Sequence, residues 1–194
     1  ELALEGFSAV QRTFDRARLA KACAAFAAWV AERERRGAVV YREIEGSLVL
    51  PGGQLLTARA DRIEFIEGRV DIVDYKTGAA PSDKEAAVGL APQLPLEAAM
   101  LLAGSFGDIS ASRVRELVHI KLSGSDPPGD VFVAKADGTT KAREAHARLI
   151  GLIAAYDNER QGYRSREMPE RVTDKGDYDH LARVAEWSRV QDDE

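Results

Sequence analysis

Four charged side chains stand where a two-residue period can gather them. Asp74 and Lys76 are two apart beside apolar Val70, Ile72, Val73 and Tyr75, so in a strand both project from one sheet face. Asp61 lies near the end of an earlier strand-like run, and the Glu67-Gly68 turn folds the later run back beside it. Glu43 and Glu45 share a face of a strand before that. If these faces coincide, carboxylates and one ammonium converge. Close carboxylates repel one another unless a cation lies between them. Oxygen donors of this kind suit Mg²⁺ or Mn²⁺. A lysine beside such an ion can orient a water or help deprotonate it while the metal polarises a phosphodiester. Each of these side chains alone would also pass for a solvated charge near a strand end.

The elements that must position these groups follow from the periodicity. Residues 7–36 recur at helical spacing through Phe14, Leu19, Ala22, Phe26, Trp29 and Val30, and Gly37 stops them. The period then changes to two over residues 39–50, 55–65 and 69–77, broken by Pro51-Gly52-Gly53 and Glu67-Gly68. This predicts an antiparallel three-strand meander. A helical stretch follows over residues 83–103, with Pro95 tolerable in the first turn of a helix ending near Leu102. Residues 114–122 read as a fourth strand, 131–134 as a short fifth, 139–163 as the longest later helix, and 178–188 as a short last one. The expected architecture is α/β (α+β), a mixed sheet covered by helices and not a doubly wound parallel one. Neither G-x-G-x-x-G nor a P-loop occurs.

Composition bounds the rest. The 194 residues, 45% hydrophobic and 30% charged, predict one domain over residues 1–194 with an irregular tail from about residue 163. The single Cys23 excludes a disulfide framework and a four-cysteine iron–sulfur cluster, and reads as a small core residue of an Ala-rich helix. No apolar run reaches about 18 residues, which argues against a membrane helix. The opening Glu1-Leu2-Ala3-Leu4-Glu5 lacks an initiator Met and a basic leader, so the expectation is a fragment of a longer cytoplasmic chain. With 27 basic against 32 acidic residues the net charge is −5. That weighs mildly against tight nucleic-acid binding by this chain alone, and not against metal-assisted chemistry on DNA.

At Ala60-Asp61-Arg62-Ile63 and, thirteen residues after Asp61, Asp74-Tyr75-Lys76-Thr77-Gly78, the sequence resembles the RecB-like branch of the PD-(D/E)XK nuclease superfamily. Pro92-Gln93-Leu94-Pro95-Leu96-Glu97-Ala98 looks like that branch's glutamine helix. With Tyr178-Asp179-His180-Leu181-Ala182-Arg183-Val184 and Glu186-Trp187-Ser188, the chain is similar to the C-terminal nuclease domain of the alphaproteobacterial AddB family, part of the AddAB helicase–nuclease. The likeness is strongest over residues 43–102.

The resemblance implies a restriction-endonuclease-like core and an Mg²⁺-dependent deoxyribonuclease, with Mn²⁺ able to substitute. It would act as an exonuclease on single strands during double-strand break processing. Its partners would be DNA, an AddA-type subunit and the rest of its own chain, with no membrane. Asp61 and Asp74 would be metal ligands with the backbone carbonyl of Tyr75, Lys76 the catalytic lysine, Glu43 the upstream glutamate, and Gln93 a DNA-positioning glutamine. Two departures stand out. Glu97 occupies a position where the family usually has Tyr, and His119, His146 and His180 all follow the lysine motif, so none is the family's first-helix His. The competing reading is a catalytically retired module that guides DNA or scaffolds the helicase partner.

Remaining features have plainer readings. His119 and Lys121 share a face of the fourth strand, expected to be solvated or helix-covered. Trp29 is expected to anchor packing, and Arg33-Glu34-Arg35-Arg36 to be a solvated helix end suited to the helix dipole.

Overall fold

The alternation over residues 39–76 folds into the expected meander. In the computed structural model, residues 9–78, 80–82, 85, 89–122, 131–133, 137–162, 179–181 and 183 are described. In chain order the elements are α1 (Ala9–Arg35), β1 (Val39–Val49), β2 (Leu55–Ile66), β3 (Arg69–Lys76), α2 (Gln93–Leu102), β4 (Glu116–Lys121), β5 (Val131–Val133) and α3 (Gly138–Tyr156). Cα proximity divides the chain into two units, residues 1–150 and 151–194.

The first unit holds one five-stranded mixed sheet in the order β1-β2-β3-β4-β5. The β1–β2, β2–β3 and β4–β5 pairs are antiparallel, and β3–β4 is parallel. A parallel neighbour requires a crossover, and the 77–115 segment containing α2 provides it. The β2–β3 hairpin turns on Glu67 (φ 51°) and Gly68 (φ 72°), both left-handed. A two-residue loop of that kind matches the twist of its strands.

Each face of the sheet buries its own cluster. On one, Ile63, Val70, Ile72 and Leu117 pack with Leu94, Ala98, Ala99, Met100 and Leu101 of α2 and Ala142 of α3. On the other, Val73, Val118 and Ile120 pack with Trp29 of α1 and with Tyr75. α2 begins at Gln93, so Pro95 falls in its first turn, where a missing N–H breaks no helical bond. Gly46 admits the ring of Phe106: a Cβ there would lie 2.6 Å from the Phe106 Cδ1. At the start of α3, the Thr139 hydroxyl accepts from the Val114 N–H (2.9 Å), tying the helix to the segment that leads into β4. In the second unit, α3 ends with the Asp157 N–H donating to the Ile153 carbonyl (2.9 Å).

Three expectations are corrected. Cys23 is exposed, because Ala22 and not Cys23 takes the buried position of that turn. Phe14 and Leu19 are each 64% exposed, so the apolar spacing of early α1 does not mark a core face. Arg33 is not solvated: it is 7% exposed, and its guanidinium bridges Glu64 and Asp71, both fully buried. Arg62 pairs with the same Glu64 and Arg115 with the same Asp71. The Arg33 and Arg62 guanidiniums also lie 5.1 and 5.3 Å from the centroid of the Trp29 ring. The helix expected over 83–103 is seen only as α2, with 83, 84 and 86–88 outside the described residues, as is most of 178–188. No helix among the described residues is long and apolar enough to cross a membrane.

The buried ion network fixes α1 against β2 and β3, and one substitution tests it. Arg33→Ala removes the shared cation and its cover over Trp29, and should destabilise the chain by about 3 kcal/mol in urea denaturation. Arg35→Ala, at an exposed pair with Glu32, should change stability by less than about 0.5 kcal/mol. Equal effects would mean the network is not what holds the helix.

Candidate active site

The ladder between β2 and β3 stops at Arg62↔Val73. Continued by one step, it would set Asp61 opposite Asp74. Instead β3 goes on pairing only with β4, through Asp74↔His119, Tyr75↔Ile120 and Lys76↔Lys121. β2 meanwhile goes on pairing only with β1. The sheet splits at this point. The Asp61 carboxylate takes the Tyr75 N–H at 3.1 Å, so a side chain accepts the hydrogen bond that a ladder carbonyl would otherwise accept.

The alternation of β1 and β2 changes step at the same level. Even-numbered Ile44, Leu48, Leu56, Ala58 and Ala60 pack on the α2-side cluster, whereas odd-numbered Ile63 and Phe65 do so further along β2. Glu43, between Arg42↔Arg62 and Ile44↔Ala60 and thus opposite Asp61, has φ 53°. Such a left-handed residue in mid-strand is a local irregularity that re-aims side chains.

Asp74 and Lys76 do share a face, as the period predicts, and α2 covers it. The Lys76 ammonium lies 2.9 Å from Asp74 Oδ2 and donates to Gln93 Oε1 at 3.1 Å. Gln93 Nε2 donates to Asp74 Oδ1 (2.9 Å) and to Glu97 Oε1 (3.2 Å). This amide orientation is the one that satisfies both a cation and two carboxylates. His119 Nδ1 lies 3.0 Å from Asp74 Oδ2. Asp74 is only 3% exposed. Burial pushes its carboxyl up, but hydrogen bonds from His119 and Lys76 and their positive charge outweigh it, and the group ends below the usual aspartate value.

Glu97 behaves in the opposite sense. One helical turn after Gln93, it lies on the same side of α2 and is 3% exposed. Burial, with the nearby charges of Asp74 and Asp61, pushes its carboxyl up to about 7 against the pull of Gln93 and Lys76. Its Oε1 accepts from Gln93, while its buried Oε2 has no hydrogen-bond partner.

The structure thus gathers Asp61, Asp74, Tyr75, Lys76 and Gln93 at the split, and adds two residues the sequence did not single out as site members, His119 and Glu97. Register would have found His119, since it is the direct neighbour of Asp74 in the parallel pair. Helical spacing from Gln93 would have found Glu97. Glu43 is not in this hydrogen-bonded group. Its side chain, 58% exposed, pairs with Arg59 at 3.0 Å. Glu45 is exposed as well.

Against known families, residues 2–178 match the PD-(D/E)XK nuclease superfamily. The chain belongs to that superfamily. It is 38% identical over 143 residues, 71% of its length, to an uncharacterized protein of Rickettsia bellii, and 41% identical over 87 residues, 43% of its length, to one of Rickettsia typhi. It spans only 17% and 10% of those two proteins. The crystal structure of SSO0001 is 19% identical, with a TM-score of 0.33 over 78% of this chain and 63% of that one.

The PD-(D/E)XK family implies a divalent cation, and the donors can be tested for fit. Among the described residues no three His, Cys, Asp or Glu side chains stand in joint reach of one ion. Asp74 is engaged by Lys76, Gln93 and His119, Asp61 by the Tyr75 amide, and Glu97 by Gln93. The chemistry nonetheless fits a hard dication. The carboxylates are held by exchangeable hydrogen bonds, their charges act on one another, and one buried carboxylate oxygen is unpaired.

The Glu97 environment has a consequence for stability without metal. A carboxyl at about 7 in the fold and about 4.3 when unfolded keeps its proton longer in the folded state. Stability from Glu97 is therefore complete below about pH 4 and falls as pH rises to 7, by as much as ~3 kcal/mol. In chelator, urea denaturation at pH 5 and pH 8 should show this loss in the wild type and not in Glu97→Gln. Identical pH slopes for the two would contradict it.

Proposed function

We propose that this chain is a metal-dependent DNA nuclease domain that hydrolyses phosphodiester bonds in single strands, in the manner of an AddAB-type helicase–nuclease. The observation that carries the reading is the placement of Asp61, on the N–H of the residue after Asp74, with Lys76 and Gln93 both on the Asp74 carboxylate. Membership in a nuclease superfamily supports the reaction class. The AddAB assignment rests on the sequence likeness, and the much greater length of the rickettsial relatives suits a module working within a larger machine.

In this reading Asp61, Asp74 and the Tyr75 carbonyl would hold Mg²⁺ or Mn²⁺. When bound, the ion supplies a Lewis acid that draws charge from the scissile phosphate. The protein's own groups do the rest. His119 fixes the second oxygen of Asp74, so that the carboxylate presents a constant direction. Lys76, anchored between Asp74 and Gln93, would swing little and hold the attacking water or the departing oxygen by one ammonium donor. Gln93 keeps both in register from the start of α2. Glu43, opposite Asp61 by register, would join only on releasing Arg59. A retired scaffold would be expected to lose at least one of Asp61, Asp74 and Lys76, and this chain has all three.

Two variants separate these roles. Asp74→Ala should abolish cleavage of labelled single-stranded DNA and also Mn²⁺ binding, since it removes a direct ligand. Lys76→Ala should slow cleavage by about 10²-fold or more while Mn²⁺ affinity stays within a few-fold of wild type. Equal loss of metal in both would mean the roles are misassigned. With a net charge of −5, cleavage by the chain alone should also fall steeply between low and physiological salt.

A further inference from the structure

We propose that Glu97 is a carboxylate ligand of the divalent cation, supplied from α2, so that Asp61 and Asp74 are joined by a third acid. The inference rests on the nuclease reading above and adds a residue to its metal site.

The geometry that carries it is an unpaired atom. Glu97 is 3% exposed, and its Oε2 is buried with no hydrogen-bond partner. A buried acceptor left unmade is costly, on the order of 1–3 kcal/mol. An apolar or aromatic residue packed under Gln93 would avoid that cost. The other oxygen of Glu97, Oε1, shares the Gln93 amide with Asp74 Oδ1, at 3.2 and 2.9 Å. Gln93 Nε2 therefore holds the place between two carboxylates that a cation would take. It can do so only partly, because its two N–H groups are both used and Oε2 remains unserved.

Helical spacing explains why the group is available. Gln93 and Glu97 are one turn apart, and α2 is anchored behind them by Leu94, Ala98 and Leu101 in the main cluster. The Glu97 backbone is thus fixed against the sheet; the three acids as they stand are not in joint reach of one ion, so the site would form as Glu97 exchanges the Gln93 amide for it. A dication there would satisfy Oε2 and offset the mutual repulsion of Asp61, Asp74 and Glu97.

Mn²⁺ titration of the chain, by calorimetry and by the electron paramagnetic resonance of free Mn²⁺, tests this without reference to activity. Glu97→Gln keeps the shape and the Gln93 contact, and Glu97→Tyr removes the carboxylate altogether. Both should weaken Mn²⁺ binding by at least about tenfold. Thermal denaturation in chelator should show Glu97→Gln at least as stable as wild type, so that lost binding is not lost folding. If Glu97→Gln binds Mn²⁺ within about threefold of wild type while Asp74→Ala does not bind, the Glu97 assignment is overturned and the nuclease reading stands. If the wild type itself binds no Mn²⁺, both fall together.

Discussion

One hydrogen bond sets the position of everything else in the site: the Tyr75 N–H donates to the Asp61 carboxylate and not to a strand carbonyl. With that bond in place the β2–β3 ladder cannot continue past Arg62↔Val73, and the two strands separate. Separation leaves Asp61 and Asp74 both close enough to Glu97 for their charges to act on it. It also leaves β3 free to extend along β4 to Lys76, where the ladder brings His119 to Asp74. Glu43, left-handed and opposite Asp61, belongs to the same local change of step.

The two faces of β3 are handled by opposite electrostatics. On the α1 side the acids Asp71, Glu64 and Glu116 are matched by Arg33, Arg62 and Arg115, three carboxylates to three guanidiniums, and the result is a neutralised brace. On the α2 side three acids, Asp74, Asp61 and Glu97, face only Lys76 and the His119 ring, so the acids outnumber the cationic groups hydrogen-bonded there among the described residues. A brace that is internally balanced allows the opposite face to remain unbalanced without the strand giving way. That imbalance is what a divalent ion would relieve.

Much of this was legible from residue order. The meander, its two-residue turn, the start of α2 near Pro95 and the shared face of Asp74 and Lys76 all follow from period and turn chemistry. What was not legible depends on which elements meet. Arg33 reads as a solvated helix end because its sequence neighbours are charged; only the approach of α1 to β2 and β3 shows two buried acids waiting for it. His119 reads as a face residue until a parallel register makes it the neighbour of Asp74. Glu97 looks like a mere departure from a motif until the helix turn carries it beside Gln93. Strict alternation also fails at Glu43, where a positive φ directs the side chain to Arg59.

The most direct test of the account is where a divalent ion binds. Crystals of the chain soaked in Mn²⁺ and measured at the manganese absorption edge would locate it by anomalous scattering. The account predicts a peak at the strand split, in coordination reach of Asp61, Asp74 and the Tyr75 carbonyl. A peak elsewhere on the chain, or none at saturating Mn²⁺ with Asp61 still on the Tyr75 amide and Asp74 still on Lys76, would contradict it.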